Sequence, residues 1–158
     1  MLAACPRLGI SLPATATAWM QQHPDATRVP MEVQDRIWDE FCAASDDPLI
    51  GLHLGQDTQP GNLDIVGLLL MSCSNLEEAL EMLVDYQQII GDGGEFFLER
   101  GNPVWHLRYE PHFHCRTRER VEAVFAMLLQ LGRWTSGGAF VPHCVHFQHR
   151  GATDLAAY

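Results

Sequence analysis

The residues best suited to chemistry fall in two short runs of imidazole and thiol. These are His112-Phe113-His114-Cys115 and His143-Cys144-Val145-His146, with His149 beyond. Both runs offer ligands of the softness that zinc accepts, but their spacing matches none of the standard finger frameworks. His112 and His114 lie two apart in an expected loop, where a pair can chelate. On an expected strand, His143 and His149 share the Val145/Phe147 face while Cys144 and His146 point the other way. Surface or hydrogen-bonded histidines are therefore the favoured reading over a metal or redox site built on His112, His114, Cys115 and Cys144. No cofactor is expected.

Covalent chemistry has less support. Met71-Ser72-Cys73-Ser74 lies at a helix end and lacks the flanking glycines of a nucleophile elbow. Cys115 neighbours His114 only in sequence, whereas working pairs are assembled in space. Gly91-Asp92-Gly93-Gly94 ends a helix rather than opening one and carries no lysine, so it is not a phosphate loop. Glu77, Glu78 and Glu81 read as a solvated helix face. With no converging acid, base and nucleophile, an enzyme is not expected.

What remains is an aromatic and apolar concavity. Trp105 and Tyr109 share one face of a predicted hairpin, and Tyr86 and Phe125 lie on the stripes of the helices expected to cover it. A small-molecule pocket wants apolar walls with a few polar tips. The same residues also read as plain core.

The elements that must position these residues follow from periodicity. The opening residues 1–23 form an irregular or partly helical lead-in, with a short helix over 14–22 ended before His23-Pro24. Val33, Ile37, Trp38 and Phe41 recur at helical spacing after Pro30, and a short helix follows Asp47-Pro48. A helix over 63–73 is apolar nearly all round and is expected to be buried. Ser74-Asn75-Leu76-Glu77 reads as a capping box, with Ser74 paired to Glu77, for a helix carrying Leu76, Ala79, Leu80, Leu83, Tyr86 and Ile90 on one stripe. Phe96 and Leu98, then Trp105, Leu107 and Tyr109, alternate as a hairpin. A long helix over 117–134 turns Val121, Val124, Phe125, Leu128 and Leu131 inward and ends at Ser136-Gly137-Gly138. Val145 and Phe147 mark another strand, and Asp154 the start of a further helix. The fold class is α+β, a helix-rich single domain with a small antiparallel β-sheet.

Bulk properties narrow the partners. The chain has 158 residues and a net charge of −10, from ten Lys+Arg against twenty Asp+Glu, and every cation is an arginine. Such a surface should not grip DNA, because nucleic-acid affinity rests on clustered cations. No apolar run approaches the roughly 18 residues of a membrane span. The first residues lack a basic segment leading into an apolar one, which argues against a signal peptide. Five cysteines at scattered spacings then suggest reduced thiols in a cytoplasm.

Taken in order, several segments resemble a known family. Asp47-Pro48-Leu49-Ile50-Gly51-Leu52-His53-Leu54-Gly55 is followed by Gly61-Asn62-Leu63-Asp64-Ile65-Val66-Gly67. Ser74-Asn75-Leu76-Glu77-Glu78-Ala79-Leu80 then leads to Tyr86-Gln87, and Asp154-Leu155-Ala156-Ala157-Tyr158 closes the chain. From about Pro24 to Tyr158 this is similar to the arabinose-binding-like N-terminal domain of AraC-type transcription regulators, in a subgroup with ornithine- and arginine-responsive members. The resemblance implies a sensing domain for a small-molecule effector, dimerisation, and DNA contact only through a helix-turn-helix domain outside this chain. The pocket is expected between the Phe96–Tyr109 hairpin and the helices over 75–90 and 117–134. Its expected lining is Tyr86, Phe96, Trp105, Tyr109 and Phe125, with His106 or Arg108 as polar anchors. Arg108 alternates away from Trp105, so it serves only if the pocket lies at the sheet's edge. The rival readings are a ligand-free dimerisation module, with the helix over 63–73 or 117–134 as interface, and the metal or redox sensor.

Overall fold

Hydrophobic spacing and turn residues divide the described chain, residues 1–151 and Tyr158 of a computed structural model, into six α-helices and one hairpin. In order they are α1 (Ala14–Gln22), α2 (Met31–Ala43), α3 (Ile50–Gln56), α4 (Asp64–Ser72), α5 (Leu76–Ile90), β1 (Gly94–Glu99), β2 (His106–Pro111) and α6 (Thr117–Thr135). The architecture is α+β, as the sequence predicts. The strands pair antiparallel, with Phe96 opposite Tyr109 and Leu98 opposite Leu107.

Helix α6 lies at the centre because it has two apolar faces. Ala123 and Ala126 are buried towards α3, where Gly51 and Gly55 admit the α6 backbone. A Cβ at Gly51 would fall 2.0 Å from the Glu119 carbonyl oxygen, and one at Gly55 would fall 2.2 Å from that of Ala123. Side chains of any size at these two positions would hold the helices apart. On one side of α6, Phe41, Ile50 and Leu54 pack with Ala123; on the other, Val66, Leu70, Ala79, Leu83 and Phe96 pack with Leu131. The inward stripe read from the sequence is thus only half of α6's buried surface.

A polar tie holds α1 to α2. The Glu40 carboxylate accepts the Thr15 amide at 3.0 Å and also the Thr15 hydroxyl. These two hydrogen bonds hold the Glu40 carboxyl below its ordinary value of 4.5. A carboxyl whose folded value is lowered contributes stability above its unfolded value and loses it as pH falls through the folded one. Glu40→Gln should therefore lower the melting temperature near neutral pH. The gap between variant and parent should close as the buffer is acidified past the ordinary glutamate value. A gap that persists unchanged in acid would reject this account.

Three local expectations are corrected. The cap of α5 is shifted by one residue: Asn75 Oδ1 accepts the Glu78 amide at 2.9 Å and Glu78 Oε2 accepts the Ser74 amide at 2.7 Å. Asparagine outcompetes serine here because its side chain reaches the third amide of the helix from the extended residue before it. Helix α4 is not buried all round; Val66 and Leu70 face the core, but Ile65, Leu68 and Met71 are 56%, 66% and 43% exposed. Its outer face has no cover among the described residues. Val145 and Phe147 lie in an irregular segment over 139–150, not in a strand. A strand needs a ladder partner, and the nearest free edge, that of β2, borders a cavity instead. The helix expected from Asp154 lies outside the described residues. Among those described, no helix is long and apolar enough to cross a membrane.

Candidate functional site

Between α5, the hairpin, α6 and the segment 140–149 lies a partly open trough of about 1090 Å³. Consecutive residues from Val104 to Pro111 all border it. One face of a strand could contribute only alternate residues, so the trough meets the free edge of β2. That edge position brings Arg108 to the cavity even though it alternates away from Trp105. The lining on α6 extends from Thr117 to Thr135, about 27 Å at 1.5 Å per residue.

Apolar and polar lining groups are separated. Leu70, Ala79, Leu83 and Leu131 are buried at the base, while Val121, Phe125 and Leu128 are half-buried along α6. The charged residues and most of the imidazoles are exposed: Glu99, His106, Arg108, Glu110, His143 and His146 all lie at the lip. Arg108 is already neutralised, 3.5 Å from Glu99 and paired with Glu110, with its guanidinium 4.3 Å over the Phe97 ring. Two hydroxyls that border the trough are committed to backbone: Tyr109 donates to the Gly93 carbonyl at 3.0 Å, and Thr135 to that of Leu131 at 3.1 Å. Burial pushes the Tyr109 hydroxyl up to about 12, so it remains a neutral donor.

Five of the seven residues expected at the pocket border this trough: Trp105, His106, Arg108, Tyr109 and Phe125. Trp105 is half-buried, with the Arg100 guanidinium 5.3 Å from its ring centre. Phe96 does not border it; at 6% exposure it is core, its ring tilted against Tyr109 at 4.8 Å. It instead borders a separate cavity of about 320 Å³, which Tyr109 and the buried Arg120 also line. Tyr86 points to solvent at 42% exposure. The inward positions of α5 run Ala79, Leu83, Gln87, and Tyr86 sits about 100° off that line. Gln87 occupies the place expected for an aromatic. Its Oε1 accepts the Phe96 amide at 2.5 Å and its Nε2 donates to the Phe96 carbonyl at 3.3 Å, closing the outer edge of β1.

Sequence reasoning missed the fourth wall. Phe140 packs over Gly132, whose missing Cβ leaves room for its ring, and the Phe140 amide donates to Ser136 Oγ at 2.8 Å. Phe147 meets Phe125 edge-on at 5.3 Å and stacks with His149 at 4.9 Å. Beneath these rings, Glu122 is completely buried and accepts the Tyr158 hydroxyl at 2.5 Å through Oε1. His149 Nε2 lies 3.3 Å from the same oxygen without hydrogen-bond alignment, and Oε2 has no hydrogen-bond partner among the described residues. An acidic residue beside the apolar stripe of α6 looks solvated in sequence. The one available hint is its place between Val121 and Ala123, on the arc that joins the two buried faces.

Among the described residues the histidine and cysteine runs bring no three His, Cys, Asp or Glu side chains together to hold an ion. Cys144 is exposed at the trough. Cys42 is buried and its thiol is pushed up to about 12, first by desolvation and then by Glu119. Because the thiolate is the reactive form, iodoacetamide at neutral pH should label Cys144 well before Cys42 and the buried Cys5. Peptide mass spectrometry of a time course would read the order, and early labelling of Cys42 would contradict this packing.

A helix-rich α+β fold thus surrounds a half-open, largely apolar trough, with its charged groups at the lip and room for a small molecule. Residues 17–158 match the family described as the N-terminal arabinose-binding domain of AraC transcription regulators, and the chain belongs to that family. It is a family of effector-binding regulatory domains, not of enzymes. No curated protein and no solved structure matches the chain.

Proposed function

We propose that this domain senses a small molecule in the trough and thereby controls promoter engagement by a helix-turn-helix domain of the same regulator. The observation that carries this reading is the trough itself: a cavity at the upper end of ligand-pocket sizes, with apolar walls and polar tips. Occupancy acts on the segment 140–149, because that wall is held by ring contacts and one buried carboxylate rather than by a backbone ladder. The acidic surface fits a division of labour in which this domain does not itself contact DNA. Thermal unfolding across amino acids, amines, sugars, fatty acids and aromatic acids tests the reading. A ligand of the native state at a hundredfold excess over its Kd adds about 2.7 kcal/mol, several degrees in a domain of this size.

Trp105 provides a local check. Trp105→Phe keeps most of the wall, so the melting temperature of the unliganded domain should stay nearly unchanged while the ligand-induced shift falls. A full ligand-induced shift in Trp105→Phe would remove Trp105 from the site.

Self-association is a second reading, favoured by one observation. Ile65, Leu68 and Met71 present an exposed apolar stripe at i, i+3, i+6 on α4. In this reading a second copy of the domain covers it. A concentration-dependent dimer in sedimentation, lost in Leu68→Glu, would support it; a monomer at all concentrations would rule it out.

A further inference from the structure

We infer that the effector of this trough is a long-chain acyl compound, rather than a sugar or a free amino acid. The inference rests on the effector-binding reading above and names the class of ligand. Three features carry it.

The first is shape. The lining follows α6 for about 27 Å. A pentose or an amino acid would occupy a small part of that length and leave the rest of an apolar surface wet, whereas an extended hydrocarbon runs along it.

The second is the chemistry of the interior. A polyol buried here would need a partner for each hydroxyl, and each one left unpaired costs free energy. The trough offers few: Tyr109 and Thr135 are committed to backbone carbonyls, and the remaining polar lining is almost entirely at the exposed lip. A hydrocarbon asks for none, and Leu70, Ala79, Leu83, Leu131, Val121 and Leu128 provide its surroundings.

The third is charge. A zwitterionic amino acid needs a cation for its carboxylate and an anion for its ammonium. The charged lining residues, Arg108, Glu99 and Glu110, already pair with one another. An amino acid would have to break these pairs. An acyl compound carries at most one charge, on a head that stays in water at the open mouth beside the exposed His106, His143 and His146.

The test uses the whole domain and cis-parinaric acid, a fatty acid whose polyene fluoresces when it leaves water. Its emission should rise to saturation at about one equivalent. Oleic acid or its methyl ester should displace it, and which of the two does so identifies a free acid or an esterified source. Butyrate, L-arabinose, L-ornithine and L-arginine should not displace it. Leu128→Trp, which fills the middle of the trough, should weaken binding at least about tenfold. Val121→Phe, nearer the start of α6, repeats the test should Leu128→Trp lose its circular dichroism signature. Stabilisation by arabinose, ornithine or arginine with no parinaric binding would overturn the acyl class and leave the sensor standing. Parinaric binding insensitive to both folded variants would place the acyl chain outside the trough and overturn the inference. No stabilisation by any compound would overturn both the class and the sensor.

Discussion

Gly51→Ala is expected to destabilise the domain by about 3 kcal/mol, at the upper end of overpacking costs, and Gly51→Leu to leave no folded protein. Two effects of opposite sign compete. Alanine is the better helix former, and in an open helix the exchange would gain about 1 kcal/mol. Here the new methyl would lie 2.0 Å from the Glu119 carbonyl oxygen and 2.6 Å from its carbonyl carbon. Both are backbone atoms of α6, so no rotamer relieves the clash; α3 and α6 must separate along their whole contact. Gly55, one turn on, has the same relation to Ala123, so a shift that relieves one site strains the other. Packing therefore outweighs propensity. Since domains of this kind are stable by only about 5–15 kcal/mol, the loss is a large share of the total. Urea unfolding of Gly51→Ala and Gly55→Ala would read it directly. A variant as stable as the parent would mean that the helix seam is looser than the structure shows.

The second large effect concerns Arg120, which is 3% exposed on the α6 face towards α2. Its Nη1 donates to Asp35 Oδ1 at 2.5 Å, and its guanidinium lies 3.8 Å from the Phe113 ring centre and 5.5 Å from that of Trp38. Removing the carboxylate leaves a buried cation with aromatic faces and the Met31 sulfur as its other described contacts. Breaking such a pair costs about 3–5 kcal/mol. Asp35 is itself 31% exposed, so water enters once it is truncated, and the expected loss for Asp35→Ala is at the lower end, about 3 kcal/mol. Arg120→Met on the Asp35→Ala background should recover part of it. Methionine keeps the packing between the rings and removes the stranded charge, so the two substitutions are non-additive. A double variant less stable than Asp35→Ala alone would show that Arg120 acts through its own packing and not through its charge.

Much of the scaffold was legible because it is local. The stripe Val33, Ile37, Phe41 determined α2 and its buried face, since a period near 3.6 leaves one arc apolar whatever lies opposite. Gly101-Asn102-Pro103 between two alternating runs pointed to the hairpin; the register, with Phe96 opposite Tyr109, came from the structure. The order of the glycine-bearing Asp47–Gly55 segment and the Ser74–Leu80 box was enough to suggest the family, although which residue of that box caps the helix was left to the structure.

What only the tertiary structure decided is how each face is used. Periodicity placed Trp105, Tyr109 and Phe125 on inward faces but could not distinguish a wall of the trough from the core, and Phe96 proved to be core. Tyr86 lost the inward place on α5 to Gln87 because the turn of that helix against β1 depends on two backbone hydrogen bonds from one side chain. Arg108 reached the cavity from the wrong alternation because β2 is an edge strand with no neighbouring strand on that side among the described residues. Glu122 is buried because the segment 140–149 folds back over it, a contact between elements with no periodic signal. Short-range pattern records which residues avoid water; long-range packing determines whether protein or an open trough takes the water's place.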